Sequence, residues 1–193
     1  MNSKNDQIYI EGVLNGDPQA FAALVDRYKD LVFTLALRML KSREEAEEVS
    51  QDTFIKVYKS LGKFKGDSKL SSWIYKVTYN TCLDKIKKYK RSFNTVAIDE
   101  LTENKVKSIE SALDELEKKE RNLAIQHCIE QLPGDDSFIL TLFYFEELSI
   151  EEIAAIVDES KNYVKVKLHR SRKKLAGILK ANLEPEIISY YER

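Results

Sequence analysis

The stretch SSWIYKVTYNTCLDKIKKYKRS, residues 71–92, sets the only tryptophan of the chain, with Tyr75 and Tyr79, just ahead of Lys85, Lys87, Lys88, Lys90 and Arg91. Two readings are open. It is a helix with one apolar and one solvated face, or a surface built for bases and phosphates. Formal net charge over the 193 residues is only -1, so these cations are a local concentration, and binding follows local patches and their fields rather than the sum. A second concentration lies at 161–174, while acids gather in EEAEEVSQD (44–52) and DELEKKE (114–120).

Composition narrows the fold. Apolar residues at 43% suffice for packed cores, and 33% charged residues with 6 Gly and 3 Pro favour helices with solvated faces over a turn-rich sheet. Upstream of the opening stretch, GKFKGDSKLSS (62–72) reads as a loop around Gly62 and Gly66. Before it, Ser42 and Glu45 form a capping box for a helix whose apolar positions are Ala46, Val49, Phe54, Val57 and Leu61. Earlier still, Asp17 stands as an N-cap with Pro18 at the first helical position, and Phe21, Leu24, Tyr28, Leu31 and Leu35 follow at helical spacing. No cationic segment followed by an apolar run opens the sequence, and no stretch is apolar enough to span a bilayer, so a cytoplasmic protein without membrane insertion is expected.

Downstream, the pattern weakens from about residue 92, and residues 96–118 read as a linker. A second helical unit over 119–182 carries Ile125, Ile129 and Leu132, a stop at Pro133–Gly134, then DDSFILTLFYFEEL (135–148). Ser149 and Glu152 cap the next helix, and a turn from Asp158 to Ser160 leads into a basic helix from about Lys161 to Leu179. Two capped helices around so short a corner are a helix-turn-helix, which presents its second helix to the major groove. Ala154 is small where the helices approach, and Val164 and Leu168 seat the second on the first. The other faces carry Lys161, Asn162, Lys165, Lys167, His169, Arg170, Arg172, Lys173 and Lys174, with the start of the helix aimed at base edges and its later cations at phosphates. His169 reads as a phosphate neighbour and His127 as a helix-packing residue. Cys82 and Cys128 lack metal-ligand spacing and read as small hydrophobes. Neither a phosphate-cradling Gly loop nor a nucleophile–base pair is found, so no enzyme, cofactor or metal is expected. The tail 183–193, with Pro185, Ile187, Ile188, Tyr190 and Tyr191, folds back on the last domain, frays, or meets a regulator.

Four segments in this order, FAALVDRYKDLVFTLALRML, AEEVSQDTFIKVYKSLGKF, the opening stretch, and LPGDDSFILTLFYFEELSIEEIAAIV followed by VKVKLHRSRKKL, resemble the extracytoplasmic-function (ECF) sigma factors of bacterial RNA polymerase, sigma-70 superfamily. The resemblance implies an all-α fold of two small domains on a flexible linker: a region 2 helical bundle over 1–95 and a region 4 helix-turn-helix over 119–182. It implies an alternative sigma factor, a dissociable specificity subunit that binds core polymerase, recognises and helps melt promoter DNA, and is held by an anti-sigma factor. Gln51, Asp52 and Phe54, with Lys56 and Tyr58, would dock on the clamp helices of the largest polymerase subunit, although Phe54 fits a core position equally well. Lys63, Lys65 and Lys69 lie in the loop that would shape a pocket for a flipped base of the minus-ten element. Asn80, Asp84, Lys85, Lys87, Lys88 and Arg91 would face that DNA. Tyr75 and Tyr79 suit either base stacking or helix packing, and Trp73, Ile74 and Val77 the core. Lys161, Asn162, Tyr163, Lys165, Lys167, His169, Arg170, Arg172 and Lys174 would read the minus-thirty-five duplex. Asp158 departs from the glycine usual in that turn, but Asp tolerates a left-handed backbone. A regulator that binds DNA through its helix-turn-helix without polymerase is the rival reading.

Overall fold

A computed structural model describes residues 4–92 and 125–182; the expected linker (96–118) and tail (183–193) lie outside them. The amino-terminal unit consists of α1 (Lys4–Leu14), α2 (Pro18–Leu40), α3 (Arg43–Ser60), a 3-10 turn (Leu61–Lys63) and α4 (Leu70–Ser92). The carboxy-terminal unit consists of α5, described over 125–130, α6 (Gly134–Tyr144), α7 (Ile150–Val157) and α8 (Lys161–Asn182). All regular structure among the described residues is helical.

Local chemistry starts these helices where the sequence predicts. The Asp17 carboxylate accepts the Gln19 amide at 2.8 Å and Pro18 follows it, so α2 opens with one orphan amide satisfied and a proline where no amide is needed. Lys41 ends α2 in the left-handed region. Ser42 Oγ accepts the Glu45 amide at α3. One helix is absent from the sequence reading. α1 has no predicted cap and only a thin apolar stripe, yet Ile10 and Val13 are buried against α2 and the 3-10 turn, and Tyr28 Oη donates to the buried Asp6 carboxylate at 2.9 Å.

Two apolar clusters organise the molecule. One joins Ile10, Val13, Leu24, Tyr28, Val32, Phe54, Val57, Leu61, Leu70 and Ile74 inside the amino-terminal unit, with Trp73 and Val77 packed against it. The other crosses between units. It runs from Leu35, Ala36 and Met39 of α2 through Tyr75, Tyr79 and Cys82 of α4 to Phe138, Leu142, Ile153, Val157, Val164 and Leu168. Cys82 and Cys128 are free thiols buried in it, as expected of small hydrophobes. His127 departs from expectation: its imidazole is exposed, 3.9 Å from Glu130, because the apolar face of α5 is already filled by Cys128 and Ile129.

Within the carboxy-terminal unit, one carboxylate ties α6 to α8. Asp136 is 1% exposed, accepts from Ser171 Oγ and from Lys174 Nζ at 2.7 Å, and lies 3.3 Å from Lys167 Nζ. Burial alone would raise its pKa, but the hydrogen bonds from Lys174 and Ser171 and the charge of Lys167 outweigh burial and hold the carboxyl below its ordinary value. The unfolded state therefore binds the proton more readily. The stabilisation is complete above about pH 5 and lost as pH falls through the depressed folded value. Asp136→Ala is expected to lower unfolding free energy by about 3 kcal/mol at pH 7, by urea denaturation, because it strands two lysines beside apolar surface. The gap between this variant and the parent should close as the pH is lowered from 5 to 3.

Candidate nucleic-acid interface

α8 has two distinct sides. Val164, Leu168, Ser171 and Leu175 are buried, a stripe of three- and four-residue steps that seats the helix on α6 and α7. Asn162, Tyr163, Lys165, Val166, His169, Arg170 and Lys173 are exposed. The helix starts cleanly because Ser160 Oγ accepts the Tyr163 amide at 3.1 Å. Before it, Asp158 holds φ 58°, ψ 42° and its amide donates to Ala154 O, so the aspartate takes the left-handed position that closes α7. At the other end of α7, the capping box is complete in both directions between Ser149 and Glu152.

The cations of α8 are not equivalent. Lys167 and Lys174 turn inward to Asp136, and Lys161 pairs with Glu151 at 3.0 Å. Arg172 lies across the Phe143 ring, 4.9 Å from its centroid, and within 5.6 Å of that of Tyr144. That leaves Lys165, His169, Arg170 and Lys173, with Lys180 near the end of the helix, as exposed basic groups with no ion pair among the described residues, on the same side as Asn162 and Tyr163. Sequence periodicity does not sort these cations, since the partners of Lys167, Arg172 and Lys174 come from α6, 28 or more positions away, and that of Lys161 from α7.

α4 is sided in the same way. Asn80, Asp84, Lys87 and Lys88 are exposed at helical spacing, and Arg91 continues the row in the backbone. Lys85 is bonded to Glu48 of α3 and lies over the Tyr89 ring, while Asp84 Oδ2 accepts from Lys56 Nζ at 3.1 Å. Both pairs tie α4 to α3 side by side. The Lys85 ammonium is held above its ordinary pKa and the Glu48 carboxylate below its own, each through their mutual hydrogen bond. The loop cations Lys63, Lys65 and Lys69 are exposed, with Lys69 Nζ 3.3 Å from Glu152. Tyr75 and Tyr79 are buried rather than presented. Tyr79 packs on Phe138 with ring centroids 5.0 Å apart, and Tyr75 Oη donates to Glu146 at 2.8 Å.

On α3, Gln51, Asp52, Lys56 and Tyr58 are exposed, and Tyr58 meets Phe21 edge-on at 4.9 Å. Phe54 is a core residue at 9% exposure, whereas Ile55, not anticipated, is 50% exposed beside Gln51 and Asp52. Its signal was present in the sequence: Ile55 falls one position off the buried stripe of Val49, Phe54, Val57 and Leu61. Among the described residues no group of His, Cys, Asp and Glu is placed to hold a metal, and none of the helices there is long and apolar enough to cross a membrane.

A helical bundle with a sided fourth helix, followed by a helix-turn-helix, is the architecture of a DNA-binding protein of the helix-turn-helix class. Residues 24–92 match Sigma-70 region 2 and residues 122–175 match Sigma-70 region 4. The chain is 33% identical over 178 residues to the RNA polymerase sigma-H factor of Pseudomonas aeruginosa, covering 89% of this chain and 92% of that one. It is 33% identical over 172 residues to the ECF RNA polymerase sigma factor SigW of Bacillus subtilis (86% and 92%) and over 173 residues to the ECF sigma-E factor of Escherichia coli (86% and 90%). Among solved structures, CnrH with the cytosolic domain of CnrY superimposes with a TM-score of 0.61 at 20% identity, covering 93% of this chain and all of that one. The sigma factor RpoE with the anti-sigma factor NepR from Bartonella quintana gives the same TM-score and identity over 84% and 98%. The chain belongs to the ECF group of RNA polymerase sigma factors. It is an alternative sigma factor that directs transcription initiation, and the rival reading of a polymerase-independent regulator finds no support.

The left-handed turn at Asp158 carries a direct test. Asp158→Gly should leave thermal stability equal or higher, since glycine adopts this conformation without a Cβ penalty. Asp158→Val should lower it by about 1–2 kcal/mol, read by thermal denaturation.

Proposed function

We propose that the two sided helices divide promoter recognition between them. The α4 row of Asn80, Asp84, Lys87, Lys88 and Arg91, with Lys63, Lys65 and Lys69 of the preceding loop, meets the minus-ten element. There an opened strand needs shaped surfaces for its bases and cations for its backbone. Lys85 supports that row by clamping α4 to α3 through Glu48. The α8 face of Asn162, Tyr163, Lys165, His169 and Arg170 reads the minus-thirty-five element in the major groove, helped at the margins by Lys161, and Lys167, Arg172 and Lys174 set the pose of the helix. The observation that carries this reading is that both faces lie on one chain in the order of Sigma-70 regions 2 and 4, each an exposed row opposite a buried stripe.

The exposed α3 face of Gln51, Asp52, Ile55 and Tyr58, backed from beneath by Phe54 and flanked by Lys56, docks core RNA polymerase at the clamp helices of its largest subunit. Residues 1–95 and 119–182 are the corresponding domains. The protein makes and breaks no covalent bond. It works in the cytoplasm, where polymerase and DNA are, and an anti-sigma factor is the regulator its relatives suggest.

Gln51→Ala with Asp52→Ala should weaken binding to core polymerase at least tenfold by fluorescence anisotropy with helix content unchanged by circular dichroism; equal binding removes that face from the interface. Arg170→Ala should lower the slope of log affinity for promoter DNA against log salt by about 0.9, one phosphate's worth. Lys174→Ala should leave that slope nearly unchanged and lower stability instead. Asn80→Ala in the polymerase-bound state should reduce permanganate reactivity of unpaired promoter thymines more than it reduces duplex binding.

A further inference from the structure

The outward face of α8 is mostly polar, and the exception lies at its centre. Val166 is 43% exposed and belongs to neither apolar cluster. At about 3.6 residues per turn it falls almost directly opposite the buried stripe of Val164, Leu168, Ser171 and Leu175. Its neighbours one turn away in either direction, Asn162, Tyr163, His169 and Arg170, are all exposed. Single apolar residues scattered over a surface need no partner. This one occupies the middle of the face proposed to enter the groove, with a second exposed apolar group, the Tyr163 ring at 41%, one turn before it. An exposed helix position also favours alanine or a straight-chain residue over a β-branched one, so helix formation does not account for a valine there.

What a valine can meet in the major groove is limited. Base edges there present hydrogen-bond donors and acceptors, and the one apolar group among them is the C5-methyl of thymine. Set against the amino group of adenine or cytosine, the isopropyl group would strip water from a donor and return no hydrogen bond. Against the thymine methyl it buries apolar surface on both sides. Asn162 and Arg170, four positions before and after, are of the types that take adenine and guanine edges. Amide, isopropyl and guanidinium thus form one row, with the apolar group in the middle.

We propose that Val166 is a specificity-determining residue of the minus-thirty-five contact, reading the C5-methyl of a thymine in the duplex beneath it. The inference rests on the proposed docking of α8 in the major groove. The contact carries no charge, so it adds discrimination between sequences without adding to the salt-dependent affinity for any duplex.

Deoxyuridine differs from thymidine only by that methyl group, so it isolates the contact. With holoenzyme assembled from core polymerase and the full-length protein, each thymine in the upstream element of a promoter that depends on this protein is replaced in turn by deoxyuridine, on either strand, and affinity is read by fluorescence anisotropy. The wild type should lose about fourfold at one position, the worth of one buried methyl group. Val166→Ala should bind the thymine duplex about fourfold more weakly and lose nothing further on deoxyuridine at that position. Its helix content and its slope of log affinity against log salt should match those of the wild type. Val166→Thr, which keeps a branched methyl, should retain most of the preference for thymine. A wild type with no sensitive position, or equal sensitivity in Val166→Ala, overturns the proposal. Failure of the groove assignment itself registers separately, as an unchanged salt slope in Arg170→Ala; with that slope lowered, a flat deoxyuridine scan removes the valine contact alone.

Discussion

Tyr79 against Phe138 is the contact on which the arrangement of this molecule depends. It lies in an apolar cluster that begins on α2, crosses α4 and ends on α8, so the helix-turn-helix shares a core with the amino-terminal bundle. Burial of aromatic and aliphatic surface at about 25 cal/mol per Å² holds such a seam without directional bonds. Its polar groups decide how tightly it is held. Carboxylates at its rim attract Lys69 and Lys76, exposed pairs that are each weak and sensitive to salt, while Arg38 is buried within it and donates to Thr141 Oγ1.

The same economy of charge shapes α8. Without Asp136, α8 would present a nearly continuous band of cations; with it, Lys167 and Lys174 are turned inward and become the fasteners of α8 to α6. Arg172 is taken up by two aromatic rings. What remains outward is a narrower face of Asn162, Tyr163, Lys165, His169, Arg170 and Lys173. A narrow face with polar and aromatic groups at its amino-terminal end is better suited to discriminating base edges than a uniformly basic one, which would bind any duplex through phosphates.

The helices and their beginnings were legible where the chemistry is local. Asp17 with Pro18, Ser149 with Glu152, and the left-handed Asp158 act within four residues of themselves, and the structure has each in its expected role. The buried stripes of α2, α3 and α8 were legible for the same reason, because periodicity is a local property. α1 escaped notice because its burial depends on α2 and the 3-10 turn rather than on any cap of its own. The partners of Lys167, Lys174 and Lys85 were hidden because they come from other helices, 31 or more positions away. Tyr75 and Tyr79 were left between stacking and packing, and only the distant α6 and the segment that follows it decide for packing.

The measurement that bears most directly on the account is transcription of fragmented genomic DNA by core polymerase from the same organism, with and without this protein, with the RNA 5′ ends sequenced. The account predicts new start sites that appear only with the protein and share two spaced upstream elements. Firm binding to core with no new start, or a pattern of starts identical with and without the protein, would contradict it.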